Sequence, residues 1–155
     1  MTQQAHIPVL LEEVLKALAP AAGETYVDGT LGAGGYTRAM LKAAPCHVIA
    51  IDQDPQAHAM AASWAGEFGD RLKLAHGNFS QMQQLVETCL QRQSPAKVHA
   101  VVLDIGVSSM QFDEAQRGFS FMKDAPLDMR MSQQGMSAAD FLNQAQEEAI
   151  ADVLY

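Results

Sequence analysis

The sequence predicts an α/β fold in which four parallel strands form a doubly wound sheet. Three observations support this prediction. Short apolar runs alternate with amphipathic segments three times before a fourth apolar run, as in chains built from strand–helix–strand units. The second and fourth runs are almost continuously apolar, which is typical of buried parallel strands. A glycine-dense stretch follows the first run, where such a fold turns tightly from strand into helix.

The first half of the chain carries clear local signals. A helix is predicted over residues 8–19, because Pro8 suits a first helical turn and apolar residues recur at helical spacing. The first strand follows over residues 26–28, and the next helix over residues 36–44. Residues 46–51 then form a nearly continuous apolar run, which predicts the second strand.

The next helix is predicted to begin at Asp54 and Pro55, because an acidic cap followed by proline is a common helix start. We expect it to reach about Ala65. Residues 71–74 alternate between polar and apolar and predict a half-exposed strand whose charges suit a sheet edge. Ser80 begins an amphipathic helix with apolar residues at steps of three and four.

The fourth strand is predicted over residues 98–105. Residues 106–136 then show no helical or strand period, and long irregular loops in compact domains are usually functional. Ser137 begins a motif similar to a capping box, after which we expect two short helices. We therefore assign residues 1–136 to a ligand-binding domain with this fold, and residues 137–155 to the start of a helical domain.

Composition and charge limit the classes of function. Apolar residues make up 48% of the chain and charged residues 18%, as in globular proteins. No apolar run of about 18 residues predicts a membrane span, and the N-terminus lacks a secretory signal, so we expect a cytoplasmic location. The cysteines and histidines follow no metal-ligand spacing, so we expect no metal site. The net charge of −8 argues against nucleic-acid binding by charge alone.

The segment from Tyr26 to Lys42 predicts a ligand site. A strand, a glycine turn and a helix start together present backbone amides to a nucleotide-like ligand. Asp52 lies 20 residues after Gly32, at the tip of the second strand, a spacing that suits a carboxylate accepting hydrogen bonds from ribose hydroxyls. Ligands of such sheets bind beyond the carboxyl ends of the strands. The four ends carry Asp28, Asp52, residues 77–79 and Asp104.

The residues of the predicted site are compatible with two ligands, a dinucleotide and S-adenosylmethionine. The G-x-G-x-x-G spacing that holds a pyrophosphate is not matched by the glycines at residues 29–35. Asp28 and Asp104 would surround the ligand with negative charge, which is awkward for a pyrophosphate and favourable for a sulfonium and an amino group. We therefore favour S-adenosylmethionine. The competing hypotheses are an NAD-dependent oxidoreductase and a non-catalytic module that binds cofactor or partner chains.

Six motifs occur in a fixed order and together cover essentially the whole chain from His6 onward. They are VDGTLGAGG (27–35), AIDQDP (50–55), HGNF (76–79), LDIGVSS (103–109), RGFSF (117–121) and PLDMRM (126–131). This set resembles the bacterial 16S ribosomal RNA cytosine-N4 methyltransferase family (RsmH, also called MraW). The resemblance implies a class I, Rossmann-like fold that binds S-adenosylmethionine and methylates the exocyclic N4 amine of a cytidine in 16S rRNA of the small ribosomal subunit.

Family members are about twice this length. The resemblance therefore implies a fold truncated after the fourth parallel strand, with only the start of a helical insertion domain. We expect such a chain to bind cofactor but to have little methyltransferase activity. The alternative is a non-catalytic fragment that binds cofactor or forms oligomers.

The resemblance also implies roles for individual residues. Asp52 would hold the ribose hydroxyls, and Phe79 would lie at the adenine. Asp104 would complete the cofactor site, and by analogy with DNA amino-methyltransferases it is also the candidate catalytic residue. The full expected cofactor set is Gly34, Gly35, Tyr36, Asp52, Phe79, Asp104 and Gln111. Tyr36 stands where the family usually has histidine, so we expect its backbone, and not its side chain, to make the contact.

Four residues of the long loop are candidates for holding the target base. Arg117, Phe119, Phe121 and Arg130 interleave aromatic rings with arginines, a combination that stacks on and holds nucleic-acid bases. The alternative is that the loop folds back over the sheet and buries Phe119 and Phe121.

The fourth strand also predicts self-association. In the expected strand order, 3-2-1-4, it would normally pair with a fifth strand, which we expect beyond Tyr155. An unpaired hydrophobic edge is a template for pairing with another chain. We therefore expect a homodimer or higher oligomer, joined at or near the fourth strand or by exchange of C-terminal helices.

Overall fold

The computed structural model describes residues 8–91 and 96–155. They form two compact units, one ending at Ile105 and one running from Gly106 to Tyr155. The expected assignment of residues 1–136 and 137–155 to two domains stays a prediction. No helix among the described residues is long and apolar enough to cross a membrane.

The first unit is built on a four-stranded parallel sheet with the order β3-β2-β1-β4. The strands are β1 (Thr25–Asp28), β2 (His47–Asp52), β3 (Leu72–His76) and β4 (Ala100–Val102). In the register, Val27 of β1 lies opposite Ile49 of β2 and Val101 of β4. The predicted fold class, the parallel direction and the strand order are confirmed.

Helices flank this sheet. They are α1 (Leu11–Leu18), α2 (Gly35–Ala43), α3 (Pro55–Ala61) and α4 (Met82–Leu90), with 3₁₀ turns at Ala65–Arg71 and Phe79–Gln81. One core cluster joins α4 to the sheet and contains Val27, Ile49, Ile51, Ala75 and Val86. Residues 26–28 of β1 and 48–51 of β2 are buried, and the continuous apolar run predicted this for β2.

Two elements are shorter than predicted. Strand β4 covers Ala100–Val102 and not residues 98–105, because its only pairing partner among the described residues, β1, ends at Asp28. Helix α3 ends at Ala61 and not near Ala65. There the Ser63 hydroxyl donates to the carbonyl of Met60 at 2.8 Å, a side-chain bond that competes with the regular helix.

The second unit is helical. Its elements are α5 (Ser109–Asp113), a 3₁₀ turn at Ala115–Arg117, α6 (Ala138–Gln144) and α7 (Glu147–Leu154). The predicted helix start at Ser137 is confirmed, because its hydroxyl accepts from the Asp140 amide at 3.1 Å and Asp140 accepts from the Ser137 amide. Helix α5 was not predicted, since residues 106–136 were expected to lack regular structure.

Candidate ligand-binding site

The glycine turn, residues 29–35, links β1 to α2. Gly32 and Gly34 have φ angles of 48° and 82°, in the left-handed region that glycine adopts without steric cost. The Gly34 amide donates to the carbonyl of Leu31 at 2.7 Å. The Leu31 amide in turn donates to the carbonyl of Ile51 at 3.0 Å. The turn is therefore closed on itself and tied to β2.

Asp52 connects the glycine turn to the next helix. Its Oδ2 accepts from the Gly32 amide at 2.8 Å, and its Oδ1 accepts from the Asp54 amide at 2.9 Å. The Asp52 carbonyl accepts from the Gly77 amide at 2.9 Å. Each carboxylate oxygen has two acceptor positions, so both oxygens can take a second donor. The geometry therefore fixes the carboxylate and leaves it able to bind hydroxyl groups.

Asp28 stabilises the start of the turn from inside the protein. This carboxyl is fully buried, accepts from the Thr37 hydroxyl at 2.7 Å and from the Thr30 amide at 3.1 Å. Burial raises its pKa from 3.8 to about 6, against the opposing effect of these hydrogen bonds, and the charge of Asp52 raises it further. Asp28 is thus a buried acid that titrates close to neutral pH.

This buried acid should make stability depend on pH. Because the folded pKa of about 6 exceeds the ordinary 3.8, Asp28 contributes stability below pH 3.8 that is lost as pH rises through 6. In Asp28→Asn, the amide can accept from Thr30 and donate to the Thr37 hydroxyl. We expect the free energy of unfolding of this variant to lack that pH-dependent decrease, which is on the order of 3 kcal/mol at most.

Urea denaturation of both proteins between pH 4 and pH 8 measures the effect. Asp70→Asn, at an exposed position, is the matched control and should follow the wild-type pH dependence. If Asp28→Asn and wild type lose stability equally over this range, burial is not the cause.

The side chain of Tyr36 is directed at the start of the described chain. Its hydroxyl donates to the carbonyl of Val9 at 2.6 Å, and the ring is buried. Burial raises the pKa of Tyr36, and the negative charges of Asp104 and Asp28 raise it further. Because the hydroxyl already has this partner, the expected contribution of Tyr36 to a ligand is through its backbone.

Two more strand ends lie near the glycine turn. The Asp104 amide donates to the Thr30 hydroxyl at 2.8 Å, and the Asp104 side chain is exposed. A Cβ placed on Gly29 would lie 3.4 Å from the Cβ of Phe79. The first unit therefore gathers most of the expected cofactor residues at the carboxyl end of the sheet. They are Gly34, Gly35, Tyr36, Asp52, Phe79 and Asp104. Their roles stay predictions.

Trp64 was not predicted as part of this site. It is buried, and a Cβ placed on Gly34 would overlap its ring. Trp64 falls within the helix that was predicted to reach about Ala65, and no local pattern indicates a contact with a turn thirty residues earlier.

The remaining predicted residues belong to the second unit. Gln111 is buried on α5 and forms a capping box, in which its side-chain oxygen accepts from the Ser108 amide at 3.0 Å. The Ser108 hydroxyl accepts from the Gln111 amide at 3.3 Å. The spacing S-x-x-Q is a capping-box signal that could have revealed α5 in the sequence. The expected contact of Gln111 with cofactor stays a prediction.

Both candidate arginines make bonds within the second unit. Arg117 is buried and donates from Nη2 to the carbonyls of Arg130 and Met131, at 3.1 and 3.0 Å. Arg130 binds Asp128 through Nε, at 3.1 and 3.0 Å from its two oxygens, and through Nη2 at 2.5 Å. Hydrogen bonds from Arg130 lower the pKa of Asp128. The hydrogen bonds of these two arginines therefore stabilise the conformation of the loop on which they lie.

The two candidate aromatic residues differ in exposure. Phe119 is half-buried, and its ring centre lies 5.9 Å from the Arg117 guanidinium. Phe121 is 92% exposed. The alternative expectation that both rings are buried is therefore wrong for Phe121, which is available to a partner molecule.

Comparison with known proteins shows the family of the chain. The sequence profile of the MraW methylase family matches residues 3–155. The chain belongs to the MraW methylase family. The suspected resemblance is thus confirmed.

Curated relatives carry the name ribosomal RNA small subunit methyltransferase H. One from Cereibacter sphaeroides is 56% identical over 150 residues, which cover 97% of this chain and 43% of the relative. One from Rhodospirillum rubrum is 53% identical, with 97% and 45% covered. The chain therefore spans less than half the length of these MraW-family relatives. A solved rRNA methylase from Streptococcus thermophilus overlaps 52% of this chain and 49% of its own, with 20% identity and a TM-score of 0.44.

Proposed function

We propose that this MraW-family chain is the cofactor-binding part of a methyltransferase that uses S-adenosylmethionine and acts on ribosomal RNA of the small subunit. The observation that carries the proposal is the Asp52 carboxylate, fixed by the Gly32 and Asp54 amides at the carboxyl end of the sheet. The name of the curated relatives, ribosomal RNA small subunit methyltransferase H, supports the methyl transfer and the rRNA substrate.

The chemistry of the site suits this cofactor. The Asp52 carboxylate retains acceptor positions for two vicinal hydroxyls, as a ribose requires. The acidic side chains of Asp28, Asp52 and Asp104 surround the turn with negative charge, which favours a sulfonium and an ammonium group over a pyrophosphate. There is also free space beside the backbone at Gly32, because an added Cβ would meet nothing closer than 3.9 Å. This space leaves room for a ligand.

The proposed reaction is transfer of a methyl group to the exocyclic N4 amine of a cytidine in 16S rRNA. When bound, the cofactor supplies an electrophilic methyl group. The N4 lone pair is delocalised into the ring, so the protein must hold N4 in line with that methyl group. Asp104, exposed beside Thr30, is the proposed acceptor of a hydrogen bond from the amine as positive charge develops.

Base binding is the proposed role of the second unit. Phe121 is the candidate that would stack on an unpaired base, since its ring is exposed. Phe119, Arg117 and Arg130 would support it by holding the loop in shape. With a net charge of −8 on the chain, attraction to RNA phosphates is weak, so we expect slow methyl transfer by this chain alone.

Replacing Asp52 tests the cofactor assignment. We expect Asp52→Ala to weaken binding of S-adenosylhomocysteine by about 1–3 kcal/mol, because the buried hydroxyls of the ligand and two backbone amides lose their acceptor. Isothermal titration calorimetry measures the change, and a thermal melt reports whether the variant is folded. Asp70→Ala, at an exposed position, is the control and should bind as wild type. Wild-type affinity in Asp52→Ala would refute this role for Asp52.

A second candidate function is self-association, favoured by the edge of the sheet. Strand β4 pairs only with β1 among the described residues, and Val101 and Leu103 are 43% and 42% exposed. We propose that two copies pair along this edge, and the simplest such assembly is a symmetric dimer.

Light scattering at tens of micromolar measures this association. We expect a dimer or larger species for the wild-type chain and a monomer for Val101→Lys, because a lysine on an edge strand opposes pairing. Met60→Lys, at an exposed position of α3, is the control and should remain associated. A monomeric wild-type chain would end this proposal.

A further inference from the structure

The only tryptophan of the chain, Trp64, packs on the glycine turn. An added Cβ at Gly34 would overlap two atoms of its ring, at 2.2 and 2.9 Å, so ring and backbone are in direct contact. A T-shaped contact with Phe68 also holds the indole in place. The two ring centres lie 6.1 Å apart at an interplanar angle of 79°. The conformation of the turn at Gly34 therefore depends on where this ring lies.

Arg38 closes the arrangement from α2. Its amide donates to the carbonyl of Gly34 at 2.9 Å, which places it one helical turn after that glycine. Its guanidinium carbon lies 5.4 Å from the centre of the Trp64 ring, within the range of a cation–π interaction. Gly34, Arg38 and Trp64 thus contact one another in a closed set of three.

The Arg38 side chain has an unusual feature. Its Nε is buried and meets no hydrogen-bond acceptor among the described residues. Buried polar atoms almost always have a partner, so this exception needs an explanation. The face of the Trp64 ring is the electron-rich group at hand, and it offsets part of the cost of burying the guanidinium. The cation–π contact therefore links the Arg38 side chain of α2 to the Trp64 ring.

We propose that Arg38 and Trp64 are positioning residues for cofactor binding. Arg38 holds the indole against Gly34, and the indole keeps the backbone amides of the turn in the arrangement that receives the ligand. This inference rests on the proposed function, because it concerns the affinity of the same site. Neither residue belongs to the six motifs that carry the family resemblance, and neither touches the ligand in this proposal.

Arg38→Met tests the proposal by removing the guanidinium and its charge while keeping an unbranched apolar side chain. We expect it to bind S-adenosylhomocysteine roughly 5- to 30-fold more weakly than wild type, a change that corresponds to a desolvated cation–π contact. Lys42→Met removes one positive charge from an exposed position of the same helix and is the matched control. It should bind within about twofold of wild type, since it leaves the turn intact.

Trp64 also provides a readout that a purely structural residue would not. Because it is the only tryptophan, the tryptophan fluorescence reports on the surroundings of this ring. Titration of the wild-type chain with S-adenosylhomocysteine should shift the emission with the dissociation constant found by calorimetry. Trp64→Phe keeps an aromatic face for Arg38 and should retain binding within a few-fold, as a conservative replacement would.

The outcomes separate the two proposals. If calorimetry detects no binding to the wild-type chain, the proposed function is wrong and this inference fails with it. If the wild type binds and Arg38→Met binds equally well, only the positioning role is overturned. If Arg38→Met does not fold, the wild-type emission decides, because calorimetric binding with no change in Trp64 emission also overturns the role.

Discussion

Replacement of Gly34 by alanine is expected to lower the free energy of unfolding by about 2–5 kcal/mol and to abolish cofactor binding. Two costs add at this position. The φ angle of 82° lies in the left-handed region, which costs a residue with a Cβ about 1–2 kcal/mol. The new methyl group would also overlap the ring of Trp64, which is buried and cannot move without disturbing Phe68.

Chemical denaturation followed by circular dichroism measures this loss. Gly66→Ala is the matched control, because an added Cβ there meets nothing within 4 Å and its backbone is not in the left-handed region. We expect the control to stay within about 0.5 kcal/mol of wild type. Equal stability of Gly34→Ala and Gly66→Ala would show that the turn tolerates side chains and is not rigidly built.

The second large effect is expected at Gly118, in the helical unit. An added Cβ would lie 2.5 Å from the carbonyl oxygen of Pro126 and 2.8 Å from the amide nitrogen of Asp128. Both neighbours are backbone atoms, so no side chain can rotate away, and φ is 73°. We expect Gly118→Ala to destabilise the unit by about 3–5 kcal/mol, the sum of backbone strain and overpacking.

Hydrogen exchange of the amides in residues 106–155 measures this destabilisation locally. Gly135→Ala separates the two costs, because Gly135 has a φ of 79° but an added Cβ there meets nothing within 4 Å. It should cost only about 1–2 kcal/mol. If both alanine variants lose the same protection, steric contact at Gly118 contributes nothing.

The elements predicted well are those whose signal is local. Asp54 and Pro55 predicted a capped helix start, and the Asp54 side chain does accept from the Gln56 amide at 3.0 Å. The apolar run of β2 predicted a strand buried on both faces. The position of Asp52 at the end of the second apolar run predicted a carboxylate at the tip of that strand, and Asp52 is the last residue of β2. In each case, neighbouring residues determine the structure.

The elements predicted poorly depend on partners distant in sequence. The predicted fourth strand continues to Ile105, but strand β4 ends where its pairing with β1 ends. Strand β1 ends at Asp28, where the glycine turn begins. The contact of Trp64 with Gly34 crosses thirty residues and leaves no periodic signal. Arg117 was a candidate for holding the base, and its buried hydrogen bonds to two backbone carbonyls were not predicted. Charge alone does not tell which partner an arginine will find.

The proposed function requires that the glycine turn and Asp52 together bind S-adenosylmethionine. Titration of the isotope-labelled chain with S-adenosylhomocysteine, followed by amide NMR, tests this binding. We expect the largest shifts at the amides of Gly32, Gly34, Gly35 and Asp54, and we expect NAD at the same concentration to shift none of them. Equal shifts with NAD, or no shift at these four amides with either ligand, would contradict it.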